Sequence, residues 1–509
     1  MVQLGFVIDQ TRCIGCHACT VACKSENEVP VGVFRTWVKY TEEGEFPSVK
    51  RSFAVLRCNQ CTNAPCVTIC PTSALEKRSQ DGIVDVNPDA CIGCKSCMHG
   101  CPYDALHINE DKGTAEKCNF CAHRSDVGLA PACAIVCPTQ AILPGDFDDE
   151  GSLVSQLKRD ENLDARKVEA GTNPNVFYRG ANPSTLRPLD SERAGGGIWS
   201  DVPPGPQQPI QEWYAEQGAA PARNVYDVPH PPLWGGKISG YVFGKSLAAG
   251  CLMAGARILL ANDTGAADAL FFTLAATVFL VITTALLIAD LKRPERFLYI
   301  LLRPNWSSWL TRGSFILVGY GGLLGLWILL GLLGIELSGG LRIPLTIVSF
   351  LTAAASASYT GFLFAQAKGR VLWMRRHLAW HFFIQAALAG SAFALLANGL
   401  FDVMADGDAT ALRSGLVAFL ALHGLFLLVE GKLAPRGREE EYERTTKLLT
   451  SGPFAKLHWG LGLGVGVVLP VILLLAAPSL APLAGLCALI GLWVEEDLMV
   501  RAAQLLPIS

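Results

Sequence analysis

Cysteine spacing constrains the first part of this chain more than any other feature. Sixteen of the eighteen cysteines lie before residue 140, in four runs. The first and third runs follow C-x2-C-x2-C-x3-C, the spacing of thiolates that ligate cubane iron–sulfur clusters. Sixteen thiolates suffice for four [4Fe–4S] clusters, so the sequence predicts four complete sites. The runs are Cys13, Cys16, Cys19 and Cys23; Cys58, Cys61, Cys66 and Cys70; Cys91, Cys94, Cys97 and Cys101; and Cys118, Cys121, Cys133 and Cys137.

The spacing also predicts how these ligands are shared. Two residues between cysteines let a tight turn present thiolates to adjacent corners of one cube. The fourth cysteine begins a helix that leads away, and in two-cluster ferredoxins it ligates the other cluster. The runs are therefore expected to work in pairs. Disulfides do not suit a long chain with such regular runs, and zinc sites do not repeat this spacing.

Long apolar segments dominate the rest of the chain. Half of all residues are hydrophobic, and each segment approaches the ~20 residues that span a bilayer. Most segments are apolar on every face, so helical periodicity does not distinguish one side. Eight consecutive runs of this length are too many for the buried helices of a soluble core. The predicted spans are roughly 233–261, 268–290, 314–336, 342–366, 378–402, 409–431, 455–477 and 480–500.

The chain is too long for one ordinary domain, and we predict three parts. Residues 1–145 are expected to form an α+β domain of the dicluster-ferredoxin type with four [4Fe–4S] clusters. Residues 233–509 are expected to form an all-α bundle of eight transmembrane helices. Residues 146–232 are rich in proline and glycine, for example at 195–197 and 203–206, which predicts a linker without its own core. Within it, residues 175–178 are interpreted as a short docking strand.

Basic residues predict the orientation in the membrane. With an even number of spans, three inter-helix loops and the tail lie on the side of the cluster domain. That side has sixteen basic residues, and the other side has Arg342 and Arg413. Basic loops stay in the cytoplasm, and no signal peptide or twin-arginine pair opens the sequence. We therefore expect a multi-pass protein of the cytoplasmic membrane whose cluster domain faces the cytoplasm. The sixteen residues are Lys292, Arg293, Arg296, Arg303, Arg312, Lys368, Arg370, Arg375, Arg376, Lys432, Arg436, Arg438, Arg444, Lys447, Lys456 and Arg501.

Polar side chains within the predicted spans need an explanation, because they are costly in a bilayer. Lys245 lies inside the first span, and Tyr241 lies one turn before it on the same face. Asp290 ends the second span, where it could pair with Lys245 or Arg293, and Tyr359 in the fourth span lies at a comparable depth. Tyrosine and lysine supply the hydrogen bonds and protons that a quinone requires. Lys245, Tyr241, Asp290 and Tyr359 are therefore predicted to bind ubiquinone or menaquinone. The alternative is that Lys245 snorkels or pairs with a structural acid.

Further ionisable side chains cluster towards the same end of the spans. They could relay protons, or they could be helix-end residues that are solvated or paired, which is the expectation for His377, His458 and Glu430. A haem b would need two histidine rings that face each other across helices. Cys251 and Cys487 are single and far apart, which indicates core packing. The cluster comprises His377, His381, His423, Glu430, His458, Glu495 and Glu496.

Two stretches of the chain carry a family resemblance. Residues 1–145 resemble the four-cluster iron–sulfur subunits of the dimethyl sulfoxide reductase and polysulfide reductase complexes, through DQTRCIGCHAC at 9–19 and the three later cysteine runs. Residues 233–509 resemble the eight-helix membrane anchor of polysulfide reductase and of nitrite-reductase-linked systems. That second resemblance rests on DLKRPERF at 290–297, RPNWSSW at 303–309 and VRAAQ at 500–504.

The resemblance implies that the first cysteine run pairs with the fourth, and the second with the third. It also implies a quinone pocket at the start of the first membrane helix, a pocket tyrosine near Tyr359, no haem, and a separate catalytic subunit that contains molybdopterin. The fusion of both subunits in one polypeptide departs from the family, which usually keeps them separate. The predicted orientation departs from the best-known members, whose catalytic subunits face outward. Membrane-bound sulfite dehydrogenases and phenylacetyl-CoA:acceptor oxidoreductases are relatives that face the cytoplasm.

We therefore expect an electron-transfer and membrane-anchor subunit of a molybdopterin oxidoreductase complex, which itself turns over no substrate except quinone. Its clusters would pass electrons between the catalytic subunit and quinone in the lipid membrane. One alternative is a redox-driven proton-translocating quinone oxidoreductase subunit, which needs a continuous polar path; the outer half offers mainly Arg257. Another is a redox sensor, which needs only one cluster. The net charge is −3 and no basic patch is interleaved with aromatic residues, so no nucleic-acid partner is expected.

Overall fold

The computed structural model describes residues 2–193, 222–228, 231–260 and 266–509. The glycine- and proline-rich segments at 195–197 and 203–206 lie outside the described residues. Up to residue 228 the described chain consists of short strands and helices around the cysteine runs. From residue 236 it consists mainly of long helices.

The short elements are brief because cysteine loops interrupt them. The helices are α1 Ala18–Glu26, α2 Pro65–Ile69, α3 Ser96–Gly100, α4 Ala122–Ser125, α5 Ala132–Ile135, α6 Leu153–Asp160 and α7 Pro183–Leu186. The strands are β1 Leu4–Asp9, β2 Thr36–Glu43, β3 Lys50–Arg57, β4 Leu75–Lys77, β5 Val84–Val86, β6 Leu106–Asn109, β7 Thr114–Lys117, β8 Ile142–Asp146, β9 Val176–Arg179, β10 Ser191–Arg193 and β11 Ala222–Tyr226.

Two sheets frame the cysteine runs. In the first, β1 lies between β8, which is antiparallel to it, and β9, which is parallel. Phe6, Val7 and Ile8 of β1 are fully buried, because a strand at the centre of a covered sheet packs on both faces. The second sheet has the order β10-β11-β2-β3. Two hairpins, β4–β5 and β6–β7, follow α2 and α3, so the second and third cysteine runs each lie just before a hairpin.

The first half of the predicted linker is folded against the cluster domain. Residues 146–193 contain α6, which Ser152 caps by accepting a hydrogen bond from Ser155 N at 3.2 Å. They also contain β9, whose Val176 and Tyr178 are fully buried against β1. The strand interpreted at 175–178 is therefore present. Residues 146–193 therefore run over the cluster domain and add β9 to its first sheet.

Ten helices follow Leu233 in the described part of the chain. They are α8 Gly236–Leu260, α9 Ala266–Asp290, α10 Tyr299–Leu302, α11 Trp309–Leu332, α12 Gly339–Ala365, α13 Leu378–Phe401, α14 Asp406–Val429, α15 Glu439–Thr450, α16 Leu469–Ala476 and α17 Ala481–Ala502, and a π-helix, Leu457–Val468, runs directly into α16. Seven segments within the described residues are long and apolar enough to cross a membrane. The predicted eighth span corresponds to α17, which is outside that set and contains Glu495, Glu496 and Asp497.

The π-helix packs closely on α17 because both carry glycine at the contact. A Cβ built on Gly466 would lie 2.6 Å from the Cα of Gly491, and one built on Gly462 would overlap the Glu495 carboxylate. Small residues of this kind allow two membrane helices to approach at backbone distance. The approach places His458 of the π-helix beside Glu495 of α17.

Every second loop of the bundle contacts the cluster domain. In the loop after α9, Asn305 Nδ2 donates to the carbonyl of Cys70 at 2.7 Å. In the loop after α12, Gly369 N donates to the carbonyl of His99 at 2.9 Å. Near the start of α15, Glu441 forms an ion pair with Lys167. The two parts of the chain are therefore joined through backbone and side-chain contacts at one end of the bundle.

Candidate iron–sulfur centres and membrane cavity

The cysteines converge in four sets, and each set takes its fourth member from another run. Three sets line small cavities: Cys13, Cys16, Cys19 and Cys137; Cys23, Cys118, Cys121 and Cys133; and Cys70, Cys91, Cys94 and Cys97. The fourth set, Cys58, Cys61, Cys66 and Cys101, is buried, and its thiols interact electrostatically. The geometry thus joins the first run to the fourth and the second to the third.

The donor sets fit cubane clusters better than single metal ions. Within residues 2–193, 222–228, 231–260 and 266–509, no three histidine, cysteine or acidic side chains converge closely enough to hold one metal ion. A cubane needs no such convergence, because each thiolate binds a different iron. Burial raises the pKa of the Cys19 thiol to about 11 and that of Cys61 to about 12. These thiols would stay protonated without a cation, so metal binding is coupled to their ionisation.

Hydrogen-bond donors point at several of these sulfurs. Ala141 N lies 3.2 Å from Cys137 Sγ, and Ala115 N lies 3.5 Å from Cys91 Sγ. The fully buried guanidinium of Arg57 donates to Cys133 Sγ at 3.1 Å. Such donors stabilise the negative charge of a thiolate-bound cluster and tune its reduction potential.

A cavity of about 220 Å³ lies where the cluster domain meets the bundle. Cys94 and Ser96 form its wall on the cluster side. Tyr241, Asp290 and Tyr359, three of the four residues predicted to bind quinone, line the same cavity. The other lining side chains are mostly apolar: Trp234, Ile238, Leu280, Thr284, Leu287, Ile288, Leu291, Phe297, Ile300, Leu301, Leu310, Ser314, Leu317, Val318, Leu363 and Phe364.

Two buried tyrosines meet at this cavity. The hydroxyls of Tyr241 and Tyr359 lie 2.5 Å apart, and the Tyr241 hydroxyl lies 3.0 Å from Thr360 Oγ1. A Cβ built on Gly313 would lie 2.1 Å from Cε2 of Tyr359, so glycine at that position makes room for the ring. Tyr241, Tyr359 and Thr360 therefore form one cluster of buried hydroxyls at the cavity.

Lys245 does not line the cavity. Its Nζ is fully buried, donates to the carbonyl of Ala357 at 2.6 Å and lies 4.8 Å from the centre of the Phe382 ring. Its electrostatic partner is Glu496 of α17, which also accepts a hydrogen bond from Ser246 Oγ at 2.8 Å. Lys245 shares the helix face of Tyr241 but lies one turn further along α8, where its Nζ is 5.4 Å from the centre of the Tyr359 ring.

Asp290 also has a different partner from those expected. Its carboxylate lies 3.0 Å from Nζ of Lys95, which stands between two cluster cysteines. Neither Lys245 nor Arg293 pairs with it among the described residues; Arg293 lies 3.5 Å from Glu295. Sequence reasoning considered only partners within the membrane part, and it missed both Lys95 and the cluster-side wall of the cavity.

Several of the remaining ionisable residues form a buried network where α13, α14, the π-helix and α17 meet. His381 Nε2 and His423 Nδ1 lie 2.9 Å apart, and the guanidinium of Arg375 contacts His381 Nδ1 at 2.9 Å. Arg375 also forms an ion pair with Glu430. His458 is fully buried, not solvated, with Nδ1 3.0 Å from Glu495. His377 alone among the predicted histidines is exposed.

Comparison with known proteins agrees with this division of the chain. Residues 49–147 match the family described as 4Fe-4S dicluster domain, and residues 225–505 match the family described as Polysulphide reductase, NrfD. Protein NrfC of Escherichia coli (strain K12) is 44% identical over 178 residues, which are 35% of this chain and 80% of the relative. A tetrathionate reductase subunit of Salmonella typhimurium is 43% identical over 205 residues, covering 39% of this chain and 81% of the relative.

A polysulfide reductase chain of Wolinella succinogenes is 40% identical over 178 residues, which are 34% of this chain and 93% of the relative. The three relatives match 35%, 39% and 34% of this chain. The match to the membrane family extends over more than half of the chain. The chain therefore belongs to the polysulphide reductase, NrfD family and is a multi-pass membrane protein that carries a 4Fe-4S dicluster domain in the same polypeptide.

Proposed function

We propose that this chain is the electron-transfer and membrane-anchor subunit of a molybdopterin oxidoreductase complex. It holds four [4Fe–4S] clusters, one on each cysteine set, and exchanges electrons with a quinone in the cavity. The bound clusters supply one-electron steps, and quinone reduction takes up two electrons and two protons. The relatives named as parts of tetrathionate and polysulfide reductases support a separate catalytic subunit as the other electron partner.

One observation carries this proposal. Cys94, a ligand in the third cysteine set, lines the same cavity as Tyr241 and Tyr359. A group bound in the cavity would therefore touch both a cluster ligand and buried proton donors. No intervening domain or further redox site is needed between the cluster and the membrane-soluble partner.

The apolar, hydroxyl and charged side chains at the cavity have different roles in this proposal. The apolar side chains of α9 and α11 exclude water and suit an isoprenoid tail. The hydroxyls of Tyr241 and Tyr359, which line the cavity, would donate a hydrogen bond to a carbonyl oxygen and supply a proton. Asp290 is held by Lys95 beside the cluster cysteines, which fixes the cavity relative to the third cysteine set.

The opposite end of the cluster domain suits the catalytic subunit. Cys16 is exposed, and apolar side chains around its set are exposed too: Ile14 is 57% accessible, and Val21 and Ile135 are similarly open. Clustered exposed apolar residues mark interaction surfaces. Electrons would then enter or leave at this set and cross the domain to the cavity.

We place the cluster domain in the cytoplasm, with eight spans below it. The basic loops support this orientation. Some of these basic residues also bind the cluster domain. Lys292 pairs with Glu110 at 2.6 Å, and Arg296 donates to the carbonyl of Pro88 at 2.7 Å. The orientation therefore needs its own experiment.

A second candidate function is proton translocation coupled to quinone chemistry. The buried network of Arg375, His381, His423, His458 and Glu495 favours it, because ionisable groups inside a bundle are otherwise costly. On the outer side, Arg257 lies 3.1 Å from Asp408, so this cation is held in an ion pair. The buried network therefore lies at the cluster end of the bundle. At the outer end, Arg257 is paired with Asp408.

Electron transfer to quinone tests the proposal directly. The complex is reduced with dithionite, mixed with decylubiquinone or menadione, and cluster reoxidation is followed by absorbance. Tyr359→Phe removes a cavity hydroxyl and is expected to slow reoxidation about threefold to tenfold, as for the loss of one hydrogen bond. Tyr320→Phe is the matched control, because that buried hydroxyl donates to the carbonyl of Ala248 at 2.6 Å and does not line the cavity.

Wild-type clusters that neither quinone reoxidises would overturn the proposed function. Equal slowing by Tyr320→Phe and Tyr359→Phe would show that quinone does not react in the cavity, because Tyr359 lines the cavity and Tyr320 does not. Cluster reduction should be unchanged in both variants.

A further inference from the structure

Trp234 is held at the cavity by the C-terminal segment. It lies just before α8, it is one of the residues that line the cavity, and it is 6% exposed. Gln504 clamps its backbone from both sides: Oε1 accepts from Trp234 N at 3.0 Å, and Nε2 donates to the Trp234 carbonyl at 2.8 Å. A residue fixed in this way has little freedom to reorient its side chain.

Aromatic neighbours fix the indole ring as well. The ring centre of Trp234 lies 4.1 Å from that of His99, which stands between two cluster cysteines. It lies 5.4 Å from Trp373 and 6.2 Å from Phe364, both in stacked orientations. The indole is thus packed between the third cysteine run and the bundle.

Its N–H group has no partner within the described ranges of the chain. Nε1 of Trp234 is buried and makes no hydrogen bond there, although a buried indole N–H ordinarily finds an acceptor. Two other buried tryptophans follow that rule. Trp373 Nε1 donates to the carbonyl of Met499 at 3.0 Å, and Trp327 Nε1 donates to Ser349 Oγ at 2.9 Å.

We propose that Trp234 Nε1 donates a hydrogen bond to a carbonyl oxygen of the quinone in the cavity. This inference rests on the proposed function and adds a residue to the site. A para-quinone has two carbonyl acceptors, and the tyrosine hydroxyls supply a donor for one of them. Trp234 supplies a donor for the other. An indole N–H cannot accept a hydrogen bond, so it orients the ligand and selects for an acceptor group, while the protons come from elsewhere.

The test removes the donor and keeps the ring. Trp234→Phe and replacement of Trp234 by benzothienylalanine, which has sulfur in place of N–H, are compared with Trp327→Phe in the full-length protein. Binding of decylubiquinone and of menadione is measured by ligand-induced thermal stabilisation over a titration. Both Trp234 variants are expected to bind about threefold to tenfold more weakly, as for one lost hydrogen bond. Trp327→Phe is expected to bind both quinones like the wild type, because Trp327 does not line the cavity and its N–H donates to Ser349.

Stability without ligand gives a second readout. Removal of an unsatisfied donor leaves no new unpaired group, so benzothienylalanine at position 234 should unfold at the wild-type temperature or above it. Trp327→Phe should unfold at a lower temperature, because the N–H of Trp327 has a protein acceptor in Ser349. A benzothienylalanine variant that binds both quinones as tightly as the wild type would overturn the assignment of Trp234. If Tyr359→Phe still slowed the reaction with quinone in that case, the proposed function would stand without Trp234. If the wild type bound neither quinone, the assignment of Trp234 and the proposed function would both fail.

Discussion

The ammonium of Lys95 lies 3.0 Å from the carboxylate of Asp290, and this ion pair joins a cluster loop to the end of a membrane helix. Lys95 follows Cys94 directly in the third run, and Asp290 is the last residue of α9. Their side chains are 10% and 13% exposed, so the pair is largely shielded from water. It therefore fixes the position of the third cysteine set relative to the cavity.

Loss of the Asp290 carboxylate should weaken the contact between the cluster domain and α9. In Asp290→Asn, Lys95 remains as a mostly buried charge without its counter-ion, which costs up to about 3 kcal/mol. We expect a lower midpoint of thermal unfolding and faster loss of cluster absorbance on heating. Glu295→Gln is the control, because its pair with Arg293 is at the surface and such pairs contribute little.

A double variant separates charge from packing. Lys95→Met combined with Asp290→Leu removes both charges, so it should recover most of the stability that Asp290→Asn loses. An Asp290→Asn protein as stable as the wild type would show that the pair does not hold the two parts together.

The crossing of cysteine ligands predicts which cluster a single substitution removes. Four cubanes require about sixteen iron atoms per chain, and Cys23→Ala should reduce the content to about twelve. Because Cys23 lies with Cys118, Cys121 and Cys133, the paramagnetic signal lost should be the one that Cys118→Ala removes. If Cys23→Ala instead removed the same signal as Cys13→Ala, each run would ligate its own cluster.

Arg57 should raise the potential of the cluster held by Cys133. Its buried guanidinium donates to Cys133 Sγ at 3.1 Å, which favours the more negative, reduced state. Arg57→Met should shift that cluster by about 60 mV to lower potential, the equivalent of about 1.4 kcal/mol. Redox titration followed by electron paramagnetic resonance measures the shift. Arg51→Met is the control, since Arg51 pairs with Glu42 at the surface, and an unshifted potential in Arg57→Met would contradict the prediction.

Orientation can be read from labelling of intact cells. Asp406 and Glu440 are exposed at opposite ends of the bundle. With the cluster domain in the cytoplasm, a membrane-impermeant maleimide should label Asp406→Cys and leave Glu440→Cys unlabelled until the cells are broken. The reverse pattern would place the cluster domain outside the cytoplasm.

Local spacing predicted that the fourth cysteine of a run leaves its own cube, as Cys23 does here, whereas the family resemblance implied which runs pair. Lys245 shows the limit of helical-face reasoning, because it shares the face of Tyr241 and yet does not line the cavity. The sequence did not point to Trp234 as a site residue, because its position at the cavity depends on contacts with Gln504 and His99, which are distant in sequence.

The same limit applies to Asp290. Its partner Lys95 is 195 residues away in the sequence, and nothing in the local pattern of either residue points to the other. The strand at Val176–Arg179 overlaps the docking strand interpreted at 175–178, whereas the segment around it was interpreted as a linker from its composition. Short-range patterns therefore predicted the elements, and contacts between the two parts could not be predicted.

The central claim is that quinone binds in the cavity beside Cys94. A photoreactive azidoquinone, bound to the full-length protein in membranes and then illuminated, tests this location most directly. After digestion and mass spectrometry, we expect labelled peptides from α9 and α11, around Leu287 and Val318, and an excess of decylubiquinone should suppress the labelling. Suppressible labelling confined to other helices, such as α14 or α16, would contradict the account.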